Sequence, residues 1–412
     1  MVGPFNRKSS SSGPQTPNAT RRAALGLILG TPLLSACAGV QQTLSSFSNP
    51  FSSQQQPAAA PAGPTQQPMV AGNGQVKVGL ILPLSASGNA GVAATSMKNA
   101  AEMALAEFQN PNIQLLIKDD AGSPQGAGQG TQQAVDEGAE IILGPLFAAS
   151  VPAAAQATRS RSISCIAFST DSTIAGRGVY LLSFLPESDV NRIVEYAAST
   201  GKRSFAALLP DNAYGNVVEI AFKQAVARRG GRVAVFEKYG ADRATPARNV
   251  AQALAQADAL LLADDGESVV AAADALTAAG ANLRNIQLLG TGLWDNPRVF
   301  ANASLQGGLY AAPDPAGFRA FAGRYRTRFG AEPVRTATLA YDSVALVAAL
   351  ARQGGAGQRY SSDVLTNPSG FAGIDGLFRF RPDGTNERGL AVMRVASSSS
   401  VPVAGSPKSF GA

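Results

Sequence analysis

From Val76 onward, short apolar runs alternate with longer stretches whose apolar positions recur at helical spacing. Val76-Lys77-Val78-Gly79-Leu80-Ile81-Leu82 has strand composition, and Met97, Ala100, Ala101, Ala104, Leu105 and Phe108 then repeat as one face of a helix. Further strands are expected at Ile113–Ile117, Glu140–Leu143 and Ile163–Phe168. Between them Thr131–Glu137 has helical composition and ends at Gly138, where a helix-terminating glycine belongs. A second series repeats the rhythm, with strands at Ser204–Leu209, Val233–Phe236, Ala259–Leu262 and Ile286–Leu289. Helices at Tyr214–Arg229, Ala247–Gln256 and Ser268–Ala279 alternate with these strands.

Two successive sets of strand–helix units predict an α/β protein with two doubly wound parallel-sheet lobes, helices covering both faces of each sheet. Roughly 320 residues also exceed what one hydrophobic core usually serves. Toward the end the pattern changes. Phe318–Phe329 and Thr338–Ala351 read as helices, and Leu377–Phe380 with Leu390–Val395 flank Pro382-Asp383-Gly384 as an antiparallel hairpin.

The first part of the chain has another pattern. Arg21-Arg22 precede a short apolar stretch from Ala23 to Leu34, too short to remain as a membrane span, and Leu34-Ser35-Ala36-Cys37 follows. The arrangement resembles the signal peptide and lipobox of bacterial lipoproteins, which implies removal of residues 1–36 and a lipid on Cys37. Thr20-Arg21-Arg22 is also similar to a twin-arginine export signal, so Sec and twin-arginine export both stay open. Residues 37–75 are rich in Gln, Ser, Ala and Pro without apolar periodicity, and read as a disordered tether spanning roughly 35 Å. Residues 397–412 read as a disordered tail.

Composition removes several functions. The formal charge of +6 includes Arg7, Lys8, Arg21 and Arg22 of the leader, so the remaining chain carries +2. No basic stripe interleaved with aromatics is left to bind nucleic acid. The sequence contains no histidine, which excludes Ser-His and Cys-His catalytic pairs and the commonest zinc ligand. Of the two cysteines, Cys165 lies in an apolar strand and reads as an inert core residue. Asp119-Asp120 and Asp264-Asp265 follow apolar strands and read as solvated strand ends. Gly126-Ala127-Gly128-Gln129-Gly130 lacks dinucleotide spacing, so no cofactor, metal or enzymatic activity is expected.

Open parallel sheets bind ligands beyond the carboxyl ends of their strands. The loops there are rich in small and hydroxyl residues: Leu84-Ser85-Ala86-Ser87-Gly88-Asn89, Gly144-Pro145-Leu146-Phe147, Ser169-Thr170-Asp171-Ser172-Thr173, Asp211-Asn212-Ala213-Tyr214-Gly215 and Gly290-Thr291-Gly292-Leu293-Trp294-Asp295. Singly each also fits a turn or a helix start. Together they suggest a cleft for a small polar ligand, with Ser85, Ser87, Gly88, Leu146, Phe147, Ser169, Thr170, Asp171, Asp211, Tyr214, Trp294 and Asp295 as candidate contacts.

Val78-Gly79-Leu80-Ile81-Leu82-Pro83-Leu84-Ser85 with Gly88, then Asp119-Asp120, Pro124, Ala134 and Gly144-Pro145, then Asp211-x-x-Tyr214-Gly215, resemble in order the type I periplasmic binding proteins, the Leu/Ile/Val-binding family. The resemblance implies two lobes joined by three crossovers, expected near Pro186, Pro313 and Gly354. Lobe 1 would then comprise 76–186 and 313–353, and lobe 2 187–312 and 354–396. Amino-acid binders of the family hold the ligand carboxylate with hydroxyls and amides of lobe 1 and its ammonium with an acid from lobe 2. Here Leu146-Phe147-Ala148-Ala149 brings no hydroxyl, and Gly290-Thr291-Gly292-Leu293 no carboxylate. Ile142–Leu146 with Val151-Pro152, Phe184-Leu185-Pro186-Glu187 and Gly290–Trp294 are similar to the lipoproteins called penicillin-binding protein activators. That likeness implies a non-enzymatic lipoprotein on the inner leaflet of the outer membrane, partnered with a peptidoglycan synthase. The alternative is a substrate-binding lipoprotein that delivers amino acids or related polar solutes to an ABC permease. A cleft filled by Phe147 and Trp294 would favour the activator, and an open polar cleft the importer.

Overall fold

The computed structural model describes residues 69–410; the expected leader, Cys37 and most of the tether lie outside the described residues. The described part forms two α/β lobes through which the chain passes alternately.

Lobe 1 begins with β1 (Met69–Ala71), β2 (Val76–Leu82), α1 (Gly88–Glu107), β3 (Ile113–Asp119), α2 (Pro124–Asp136) and β4 (Ala139–Leu143). It continues with α3 (Val151–Arg159), β5 (Ser164–Ala167) and β6 (Val179–Leu181). The sheet order is β1-β3-β2-β4-β5-β6, parallel except for β1. Successive side chains of a strand point to opposite faces. Leu80 and Leu82 therefore meet Met97 and Ala101 of α1, whereas Ile81 joins Ala127 and Ala134 of α2 on the other side. Burial on both faces is why these strands read as continuous apolar runs.

Lobe 2 comprises α4 (Pro186–Ser199), β7 (Ser204–Pro210), α5 (Ala213–Arg228), β8 (Arg232–Tyr239), α6 (Ala244–Ala253) and β9 (Ala259–Leu262). It goes on through α7 (Gly266–Ala278), β10 (Gln287–Gly290), α8 (Pro297–Ala301) and β11 (Leu309–Ala312). Phe205, Ala207 and Leu209 face α4 and α5, while Ala206 and Leu208 face α6 and α7.

The chain then returns to lobe 1 with α9 (Pro315–Phe329), α10 (Ala337–Ala351), α11 (Ser362–Leu365), β12 (Phe371–Gly373), β13 (Gly376–Phe380) and β14 (Asn386–Arg388). Only afterwards does it re-enter lobe 2 as β15 (Ala391–Ala396) and β16 (Ser399–Ala404). Lobe 2 has the order β16-β15-β11-β10-β9-β7-β8, with β15 and β16 antiparallel to their neighbours.

Four expectations are corrected. The third crossing lies at Gly389-Leu390, not near Gly354, because Tyr360, Leu365, Phe378 and Phe380 are buried in the same core as β2. Tyr360 fixes this segment by donating to Val347 O and accepting from Ser164 Oγ through its own carbonyl. The hairpin around Gly384 pairs β13 with β14, whereas Leu390–Val395 contributes β15 to the other lobe. The end of the expected tether is ordered: Met69–Ala71 caps the exposed edge of β3, with Met69 and Ala71 against the lobe 1 core. The expected tail supplies edge strand β16, and Phe410 lies under Arg379 at 4.5 Å.

Candidate functional site

Among the parallel strands of each lobe the order reverses direction once, between β2 and β4 in lobe 1 and between β7 and β9 in lobe 2. The crevice at such a switch point is where ligands of open α/β sheets bind. The residues at the carboxyl ends of these strands therefore define the candidate cleft.

On lobe 1 the loop after β2 is tied to the end of β3 by Asp119, whose Oδ1 accepts from the amides of Ser85 and Ala121. Asp120 is not a solvated strand end. It is fully buried, its Oδ1 accepts from Gly122 N, and burial raises its pKa. Gly144 adopts φ +94°, and a Cβ there would stand 2.1 Å from Ile81 O, so only glycine fits beside β2. The following Gly144–Pro145 peptide is cis.

Ser85, Ser87, Gly88, Phe147 and Thr170 are exposed along this rim. Ser87 is the N-cap of α1 without using its hydroxyl to cap it, which leaves that hydroxyl unspent. Leu146 instead packs on the lobe 1 core. Ser169 is buried and accepts from Asp171 N, while Asp171 accepts from the amide and hydroxyl of Thr173. Those two side chains shape the loop.

Lobe 2 presents Tyr214 from the first turn of α5, its hydroxyl 2.8 Å from Thr291 Oγ1. Tyr239 donates to Asp264 at 2.6 Å, and Asp211 is exposed beyond β7. Trp294 is not in the cleft. It is wholly buried in the lobe 2 core, and its Nε1 donates to Leu262 O at 2.9 Å. Asp295 is exposed beside Tyr310 Oη, on the flank where Tyr310 also meets Ser400. The sequence pattern misled here because a Gly-x-Gly turn followed by an aromatic and an acid looks like a ligand loop.

Lobe 2 also carries an acid that the loop motifs did not single out. Asp189, in the first turn of α4, accepts from Gly292 N at 2.9 Å. Burial pushes its carboxyl up to about 7, against the opposing pull of the Gly292 amide and the Arg388 charge. An acid in a helix's first turn is common for dipole reasons alone, so sequence gave no sign of this position.

The crossings themselves are polar at one point. Ser183 O, between β6 and α4, accepts from Asn386 Nδ2 and Arg388 Nε, both at 2.9 Å. Phe184 lies between two guanidinium groups, 4.5 Å from Arg335 and 4.7 Å from Arg388. Arg335 in turn pairs with Asp375 through both terminal nitrogens, at 2.9 and 2.6 Å. Among the described residues no group of His, Cys, Asp or Glu side chains converges to hold a metal ion.

Comparison with known proteins agrees with this architecture. The family model described as periplasmic binding protein matches residues 75–400. A putative branched-chain amino acid ABC transporter protein from Rhodospirillum rubrum is 21% identical with a TM-score of 0.70, over 80% of this chain and 99% of its own. A substrate-binding protein from Desulfitobacterium hafniense in complex with Leu is 16% identical, TM-score 0.60, over 80% and 99%. A solute-binding protein from Rhodopseudomonas palustris in complex with 3,4-dihydroxybenzoic acid is 20% identical, TM-score 0.56, over 81% and 98%. No curated protein matches the sequence. With a family match over most of its length and two lobes of the corresponding fold, the chain belongs to the periplasmic binding proteins.

Proposed function

We propose that this chain is the solute receptor of an ABC importer, and that it takes a small polar solute carrying a cationic group, with amino acids the first class to test. The observation that carries this reading is the Asp189 carboxyl at Gly292 N, in the same loop whose Thr291 Oγ1 meets the Tyr214 hydroxyl. It supplies the acid that the loop after β10 lacks. An ammonium group approaching it would replace lost hydration with a charge-assisted hydrogen bond. The exposed hydroxyls of Ser85, Ser87 and Thr170 and the amides of their loops are the proposed partners of the opposite end of the solute.

The penicillin-binding protein activator reading rested on the motif likeness, the lipobox and tether, and the loops lacking a hydroxyl and a carboxylate, and a cleft filled by Phe147 and Trp294 would have favoured it. Trp294 is spent in the lobe 2 core, Phe147 is an exposed rim residue, and an acid is present, so these features support the importer. The compared structures support it too, since their names describe transport proteins. Family membership implies a periplasmic location. Lipidation of Cys37 and retention at the outer membrane stay as proposals on residues outside those described.

Affinity capture from detergent-solubilised envelope, with the full-length chain as bait, tests the partner. Recovery of an importer permease is expected. Recovery of a peptidoglycan synthase without any permease would overturn the reading.

A further inference from the structure

A cavity of about 750 Å³, the size of a small-molecule site, lies outside the cleft, and its walls come from both lobes. Lobe 1 contributes the loop after β5 and the β13–β14 hairpin, and lobe 2 the first half of α4 with one face of α5. None of the candidate cleft contacts lines it, nor does Asp189. Two hydrogen-bond acceptors that do line it have no donor. Asn386, 2% exposed, commits its Nδ2 to Ser183 O at 2.9 Å, which orients the amide, and its Oδ1 has no partner among the described residues. Glu187 Oε2, from the opposite wall, is likewise shut off from solvent and unpartnered. The arginines of the walls are engaged elsewhere: Arg228 donates to Asn191 Oδ1, Arg229 to Glu195, and Arg381 pairs with Glu387. Arg388, bonded to the same Ser183 O, does not line the cavity and leaves both acceptors unpaired. The helix dipole accounts for an acid in the first turn of α4, but not for a buried oxygen without a donor. Glu187 and Asp189 stand about 200° apart around α4, so the same turn presents one acid to the cleft loop and another to this cavity.

We propose that this cavity is a second ligand site, for a small organic cation with N–H donors, a primary ammonium or a guanidinium. A buried acceptor without a donor is costly, and such a group supplies several donors together with the positive charge that Glu187 lacks. The sign of the walls agrees: Arg228, Arg229 and Arg381 stand against four carboxylates, those of Glu187, Glu195, Asp383 and Glu387. Val217 and Ile220 of α5, the latter 60% exposed, offer an apolar wall to a short hydrocarbon body. An occupant bonded to Asn386 of lobe 1 and Glu187 of lobe 2 bridges the lobes, so its binding is linked to any movement that changes their separation. The inference is independent of which solute the cleft takes.

The test is calorimetric titration of the intact chain with agmatine, putrescine and n-butylguanidine, and with tetramethylammonium, a cation without N–H donors. At least one of the first three should bind, and tetramethylammonium should not. Glu187→Gln, which removes the charge and keeps the shape, should weaken that binding at least about tenfold. Ile220→Lys, at an exposed position, places a competing ammonium on the wall and should weaken it severalfold; it serves if Glu187→Gln fails to fold. A crystal soaked with the best-binding probe should show it between Glu187 and Asn386. No binding of any of the three at millimolar concentration, equal binding of tetramethylammonium, unchanged affinity in the folded variant, or an ordered water alone between the two acceptors would each overturn the inference and leave the importer reading intact.

Discussion

The carboxylate of Asp189 reaches the amide of Gly292, 103 positions away in sequence, at 2.9 Å. That bond joins the first turn of α4 to the loop after β10, and it gives lobe 2 an acid that no single segment announces.

Tyr214→Phe should weaken solute binding by roughly fivefold and lower stability by about 1–2 kcal/mol. The lost hydroxyl leaves the buried Thr291 Oγ1 without its partner, and one such hydrogen bond contributes about 1 kcal/mol. Calorimetric titration and a thermal melt check the two halves separately.

Trp294→Phe should cost about 1–3 kcal/mol of stability and leave the affinity of the folded protein unaltered. The indole is buried beneath Gly290 and Gly308, with its N–H on Leu262 O, so its removal opens a void and orphans a carbonyl. Gly290→Ala should destabilise by a comparable amount, since its Cβ would lie 2.2 Å from Trp294 Cδ2. Urea unfolding measures both. A large loss of affinity in folded Trp294→Phe would return this residue to the cleft.

Asp342 should make the fold less stable as pH rises. Its carboxyl is pushed up to about 7 by burial, so the folded state holds a proton that the unfolded chain has already released above about pH 4. Its contribution to stability is therefore full in acid, declines between about pH 4 and 7, and is lowest above that window. Asp342→Asn removes the titration. The melting temperature of the variant relative to wild type should rise between pH 5 and pH 8, by at least about 3 °C.

The repeating units were legible because both sheets are buried on two faces. Runs such as Ala259–Leu262 and Ile113–Ile117 can hardly be anything but inner strands, and the helices from Tyr214 and Thr338 lie within a few residues of α5 and α10. Edge strands were not legible: Met69–Ala71 and Ser399–Ala404 carry weak apolar patterns and owe their form to the backbone edges they cover. The third crossing was missed because the polar loop around Gly354 looks like a linker, while Tyr360 beyond it anchors the chain back into lobe 1. Within the site, the exposed rim residues Ser85 and Ser87 and the half-buried Tyr214 stood out as loop chemistry. Asp189 and Arg388 did not, since a helix-first-turn acid and a hairpin arginine ordinarily face solvent. Their burial comes from tertiary packing at the crossings.

The most direct measurement is isothermal titration of the best-stabilising amino acid into wild-type protein and into Asp189→Asn at pH 8, where the wild-type carboxyl is ionised. Loss of one partner of a partly buried charge pair costs about 3 kcal/mol, so the account predicts affinity at least about a hundredfold weaker in the variant, with its melting temperature in the absence of solute maintained. Equal affinity in the two proteins, or no binding of any amino acid by the wild type, would contradict it.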